Sequence, residues 1–289
     1  MKLLFGLLKY AAAILLTIVF VFPLVFMVMA SLKPDYNLLQ DVGSIRSFLP
    51  VGPISLQNYQ GVFDRVPFLR FLFNSLFVAT TTTVLGLLVN SMLGFALAVM
   101  KWRGKNVVFA MIISTLILPF EVIAIPLLYL MAKLPWISFD GGLHLTQGMF
   151  NSYQVQILPF IANAIGIFLF MQYFKTLPKE LEESARIDGA SWFRIYARIA
   201  MPLAGPAIGT VSILTFLPMM NSYLWPIMTI QDESYRPVMV GLQYFYVNWG
   251  TAWGQIMAYL TLLTVPVVIL FLFMQRFFVG SIAAVGVKG

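Results

Sequence analysis

Residues able to do chemistry are sparse in this 289-residue sequence, and the first is Glu121, set in Leu118-Pro119-Phe120-Glu121 between long apolar runs. A carboxylate there either lines a polar pathway or is a structural acid hydrogen-bonded near Pro119, whose ring leaves a carbonyl unpaired; the structural reading is favoured. Proton coupling would require a relay of acids and histidines, and Glu121 stands alone. His144 is the single histidine and there is no cysteine, so a metal site lacks further ligands and neither disulfide nor thiol-nucleophile chemistry is available. The nearest approach to a G-x-x-x-x-G-K-[ST] phosphate loop, Gly280 to Lys288, has the wrong spacing and no strand pattern before it. Pro218, Asn221 and Trp225 fall at i, i+3 and i+7, which would put a kink, an amide and an aromatic on one helix face. Such a face suits a sugar, because rings stack on its CH surface while amides pair with its hydroxyls. Interhelical hydrogen bonding with an interfacial Trp explains the same residues equally well.

The elements that carry these residues are helices in lipid. The chain is 60% hydrophobic and only 10% charged, with mean hydropathy +0.89, against about 25% charged in ordinary soluble domains. Its 18 Lys+Arg and 11 Asp+Glu cannot form a polar shell around a core holding 26 Phe and 16 Met, so the bilayer must supply the missing surface. The net charge of +7 is dispersed between apolar runs, which marks topology and argues against a nucleic-acid partner. Apolar stretches near Tyr10 to Leu32, Phe71 to Met100, Val107 to Met131, Tyr153 to Phe174, Pro202 to Ile230 and Gly254 to Phe278 each approach the roughly 20 residues that a membrane helix needs. Continuous apolar runs are not the alternation of a β-barrel, so an all-α membrane protein of six transmembrane helices is expected.

With the N-terminus inside, Lys2, Lys9, Lys101, Arg103, Lys105, Lys175, Lys179, Arg186, Arg194, Arg198, Arg276 and Lys288 fall on the cytoplasmic side, and both termini face the cytoplasm. Val28-Met29-Ala30 could pass for a cleavage site, but the preceding apolar run exceeds a signal peptide's, so an uncleaved first span is expected. Outer loops follow at 33–70, with Pro50, Gly52, Pro53 and Pro67, and at 231–253, with Tyr235, Tyr244, Tyr246, Asn248, Trp249 and Trp253. The first is long enough to form a small cap, and aromatic belts explain part of the second. Gly86, Asn90 and Gly94 recur every four residues on the second span, and Gly205 and Gly209 do so on the fifth. Packing of helix backbones is the favoured reading of both.

Residues 175–201 are too polar to cross lipid and too apolar for a plain loop. Pro178 suits a first helical position, Glu180, Glu182 and Glu183 suit the positive end of a helix dipole, and Glu182 reaches Arg186 four residues on. Asp188-Gly189 then stops the first helix, Ser191 caps a second, and Trp192, Tyr196 and Ile199 share one face of it, with Pro202 opening the next span. An amphipathic helix on anionic headgroups is the plain alternative. Three acids work against that, and a short helix-turn-helix with an apolar face and charged rim suits a groove on another protein.

Glu183-Ser184-Ala185, Asp188-Gly189-Ala190 and Ile199-x-Met201-Pro202 resemble the EAA motif of permease subunits of ATP-binding-cassette importers, with Ser184 where Ala is usual and Met201 where Leu is usual. Asn58-Tyr59, Asn74-Ser75, Asn221-Ser222-Tyr223-Leu224-Trp225-Pro226 and the tail Gly286-Val287-Lys288-Gly289 extend the likeness to the carbohydrate branch, and there to the second, six-span permease of the maltose-transporter type. The resemblance implies a single permease domain over 1–289 with the type I ABC importer permease fold, in a bacterial-type inner membrane. It implies that Glu182, Glu183, Ser184, Ala185, Arg186, Asp188, Gly189 and Ala190 couple to a separate ATPase. It implies a homologous second permease, two ATP-binding subunits that hold the ATP, an extracytoplasmic solute-binding protein, and no covalent catalysis by this chain. Glu121, Asn221 and Trp225 are the candidates for the pathway of a sugar or oligosaccharide. The rivals are a secondary transporter driven by an ion gradient, a membrane scaffold or sensor, and an importer of a polyamine or glycerol phosphate. The last cargo would want convergent Arg or Lys, and the spans are nearly free of them.

Overall fold

The computed structural model describes residues 2–41, 43–138, 144–247 and 250–286. Asn248 and Trp249 of the expected 231–253 loop, and Val287, Lys288 and Gly289 of the expected tail, lie outside the described residues. Helix α1 (Lys2–Ser31) is followed by α2 (Asp35–Asp41), a tight turn (Ile45–Phe48) and α3 (Gln57–Arg65), then α4 (Phe68–Ala98), α5 (Lys105–Ser114) and α6 (Phe120–Lys133). An antiparallel ribbon of β1 (Pro135–Ser138) and β2 (His144–Gln147), with His144 opposite Ser138, precedes α7 (Tyr153–Ile157) and α8 (Ala164–Lys175). Next come α9 (Lys179–Ile187), α10 (Trp192–Ile195), α11 (Met201–Leu203), α12 (Gly205–Met220), α13 (Leu224–Thr229) and α14 (Val238–Gly241). A second ribbon, β3 (Tyr246–Val247) with β4 (Gly250–Thr251), leads into α15 (Trp253–Gly286). The expected all-α architecture holds, with two short ribbons confined to the connections.

The six expected spans take two forms. Phe5–Ser31, Phe68–Ala98 and Trp253–Leu270 are single helices long and apolar enough to cross a membrane. The other three are broken pairs, bent by 108° between Lys105–Ile117 and Phe120–Lys133, by 43° between Tyr153–Phe160 and Ala164–Lys175, and by 81° between Trp192–Leu203 and Gly205–Met220. This corrects the reading of the third to fifth stretches as continuous helices. At the first break Leu118 is extended (φ −83°, ψ 116°), as the residue before Pro119 tends to be. At the second, Asn90 supplies what the interrupted helix lacks. Its side chain accepts from the Asn163 amide at 3.0 Å and donates to the Ile161 carbonyl at 3.2 Å. At the third, a wide π turn over Tyr196–Ala200 precedes Pro202, and the chain turns at Ala204. The fifth membrane helix therefore begins at Gly205 and not at Pro202.

The chain divides into two compact units, Met1–Leu69 with Gly241–Ile269 and Arg70–Val240 with Leu270–Gly289. In the first unit the connection between α1 and α4 folds onto the end of α1. Lys33, only 2% exposed, pairs with Asp41 at 2.8 Å and donates to the Arg46 carbonyl at 2.6 Å. Asn58 donates to the Ser31 and Lys33 carbonyls at 2.9 and 2.8 Å.

In the second unit Asn74 donates to the Ser234 and Arg236 carbonyls, both at 2.9 Å, and accepts from the Tyr153 hydroxyl at 2.7 Å. Ser75 accepts from the Val238 amide at 2.8 Å. Asn74-Ser75 thereby pins the 232–238 connection onto α4. Within it the Ser234 amide, 2.8 Å from the Asp232 carboxylate, holds that acid below its ordinary pKa. The glycine pattern on α4 serves packing. A Cβ on Gly94 would lie 2.6 Å from that of Phe170 and 2.9 Å from the Met171 nitrogen, so α8 rests directly on α4 there.

Candidate functional site

The segment from Pro178 to Leu203 is built by local capping. Glu180 and Glu182 lie in the first turn of α9, where the helix dipole favours acids. Pro178 stands just before the helix in extended geometry and not inside it as expected. At the other end Gly189 takes φ +76°, its amide donates to the Arg186 carbonyl at 3.1 Å, and the Ala190 amide reaches back to the Ala185 carbonyl at 2.9 Å. These two bonds make a Schellman stop, which needs a left-handed residue where a side chain is penalised. No atom lies within 4 Å of a Cβ built on Gly189, so backbone conformation and not space demands the glycine. Ser191 caps α10 by accepting from the Arg194 amide at 3.3 Å, as expected.

Arg186 corrects the expected pair with Glu182. Its guanidinium lies 4.7 Å from the Trp192 ring centroid and donates to the Ala190 carbonyl at 3.4 Å, bridging the two sides of the turn. One face of the segment is anchored: Ala185, Ala190, Ile195, Tyr196 and Ala200 are buried with Phe95, Phe170 and Phe174, and Trp192 and Ile199 pack against this cluster. Tyr196 also shares a buried hydrogen bond of 2.8 Å with Ser91 of α4. The segment is thereby packed on α4, α8 and α12 in one close-packed core. The opposite face is open: Ile187 is 87% and Phe193 67% exposed, beside the exposed Glu183, Ser184, Arg186, Asp188 and Arg194. Large apolar side chains held outward on a rigid, charged turn suit a groove on another protein. Ile187 and Phe193 carry no motif of their own in the sequence; the signal that marks them is their position off the Trp192, Tyr196, Ile199 stripe.

Pro218, Asn221 and Trp225 are not brought onto one helix face. Asn221 is the exposed residue that closes α12, whereas Trp225, in the separate helix α13, is 2% exposed. Its indole donates to the Val155 carbonyl at 2.8 Å and meets Phe120 and Phe160 edge-on. The helix ends at Met220, which breaks the spacing that a continuous helix would have kept in register. Glu121 lies exposed in the first turn of α6, beside Pro119. No cluster of three or more potential metal ligands occurs among the described residues.

Broken membrane helices around a packed core, with a capped helix-turn-helix inserted between the fourth and fifth, define the type I ABC importer permease fold. The chain belongs to the family described as "Binding-protein-dependent transport system inner membrane component", which matches residues 90–283. It is 34% identical over 270 residues to the arabinooligosaccharides transport system permease protein AraQ of Halalkalibacterium halodurans, covering 93% of this chain and 91% of that one. The same-named protein of Bacillus subtilis is 34% identical over 278 residues, covering 95% and 93%. The sn-glycerol-3-phosphate transport system permease protein UgpE of Yersinia enterocolitica is 33% identical over 269 residues, covering 90% of each. In structure the chain is similar to a bacterial ABC transporter involved in the import of the acidic polysaccharide alginate, with TM-score 0.78 and 22% identity over 95% of this chain and 96% of that one. It is a multi-pass inner-membrane component of a binding-protein-dependent transport system and is not itself an enzyme.

Proposed function

We propose that this chain forms half of the transmembrane path of an ATP-driven importer and that α9, its turn and α10 seat on a separate ATP-binding subunit. The observation that carries this is the two-faced segment, with Ala185, Ala190 and Tyr196 buried against α4 and α8 while Ile187 and Phe193 face outward. Closure of two ATP-binding subunits on ATP would then rotate the buried face and the membrane helices packed on it. In this reading both termini and the 175–201 segment face the cytoplasm. The loops at 33–70 and 231–253 face a solute-binding protein outside, and a homologous second permease completes the path.

A sugar or oligosaccharide is the cargo the chain suits. Two of its relatives are named for arabinooligosaccharides. Others are named for sn-glycerol-3-phosphate, but a phosphate cargo wants convergent Arg or Lys, which the spans almost lack. Glu121 and Asn221 are the residues we assign to the pathway; Trp225 supports them by packing.

Gly189→Val tests the joint. At φ +76° a β-branched residue is strained, so in the reconstituted complex solute uptake should fall several-fold while ATP hydrolysis and membrane insertion persist. Unchanged uptake per ATP hydrolysed would refute the assignment.

A further inference from the structure

A cleft of about 320 Å³ opens where α4, α5 and α8 end or begin beside α9. Lys101, Lys105, Lys175 and Lys179 line it, with Glu182 and Glu183 on the α9 side and a floor that includes Phe95 and Phe174. Lys105 is held in place by its bonds to the Ala98 and Met100 carbonyls at 3.3 and 3.2 Å, so its ammonium closes the end of α4. None of the four lysines comes within ion-pair distance of an acid among the described residues. Lys101 and Lys105 also line a neighbouring hollow with Trp102, Gly104, Asn106 and Val107. From there Val107 and Met111, each 59% exposed, continue as an apolar flank along α5.

We propose that this cleft binds the phosphate of an anionic phospholipid, with Lys101, Lys105 and Lys175 around the headgroup and an acyl chain along Val107 and Met111. Cations gathered at the ends of three apolar helices, next to an exposed Trp102, sit at the depth of a headgroup layer. A free phosphate would make no use of the α5 flank. Glu182 and Glu183 on the α9 side would repel any anion, which leaves the headgroup to the Lys101 and Lys105 side, where the neighbouring hollow has no acid in its lining. The site rests on the cytoplasmic placement of the 175–201 segment proposed above, but the lipid contacts assigned to Lys101, Lys105, Val107 and Met111 do not require α9 to seat on an ATP-binding subunit.

The test uses the assembled transporter in phosphatidylcholine nanodiscs with a photoreactive phosphatidylglycerol. Labelling should map to residues 101–111 and be competed by unlabelled phosphatidylglycerol but not by phosphatidylcholine. With each interfacial lysine contributing about fivefold, Lys101→Gln with Lys105→Gln should reduce labelling by at least about tenfold. Equal labelling in the double variant, or by a phosphatidylcholine probe, overturns the proposal. Competition by inorganic phosphate as strong as by the lipid would make it a free-anion site, and cross-linking of these lysines to an ATP-binding subunit would make it a protein contact; either result overturns it. Should the double variant fail to assemble, the competition between the two lipids on the unaltered complex decides alone.

Discussion

The turn at Gly189 and the cluster around Trp225 lie in the same compact unit, and both follow a break in a helix, yet they differ in what makes the break. The first is written locally. A left-handed glycine, a serine cap and reciprocal amide bonds fall within a few residues, and the result is a stiff element with one face left open. The second is written across the fold, because Trp225 is fixed by the Val155 carbonyl and by two rings from other helices. An element held by its own caps can be moved as a piece, whereas one held by distant partners fixes helices to one another. The difference separates a candidate joint from a structural pin.

Trp225→Ala is the sharpest way to break the comparison. Emptying a 2% exposed indole site should cost about 3–5 kcal/mol, so complex yield and uptake should fall together; a loss of uptake in a fully assembled complex would return Trp225 to the pathway. Gly94→Val comes next. Its new side chain meets Phe170 and the Met171 backbone, and an overpacked helix contact costs about 1–3 kcal/mol, read as a lower unfolding temperature in detergent. The smallest effect on stability belongs to Asn221→Ala, with Glu121→Gln beside it. Both sites are exposed, so stability should change by under about 0.5 kcal/mol, while the solute concentration for half-maximal uptake shifts. An unchanged uptake curve in both variants would remove them from the pathway.

What could be read from sequence follows the same division. Ser191 as a cap, Gly189 as a stop and the Trp192, Tyr196, Ile199 stripe all depend on residues within a turn of one another, and each is seen in the structure. The six apolar stretches were legible because lipid demands length and continuity. The 108° and 81° bends were not, because periodicity assumes a straight axis through Pro119 and Ala204. The shared face of Pro218, Asn221 and Trp225 fails for the same reason: i, i+3, i+7 spacing has meaning only while one helix continues. Arg186 was assigned to Glu182 by spacing alone, whereas the turn brings the Trp192 ring close enough to take the guanidinium. The Asn90 bridge to the break before Asn163 joins residues 73 positions apart, beyond any local pattern.

The chain has no cysteine, so Phe193→Cys places one thiol on the open face of the segment without a background. In the assembled complex, with cysteines placed along the cleft of the ATP-binding subunit, that thiol should form a disulfide with the subunit and be shielded from a water-soluble maleimide. A thiol that the maleimide modifies freely in a complex still importing solute, and that joins no ATP-binding subunit, would contradict the docking role of α9 and α10.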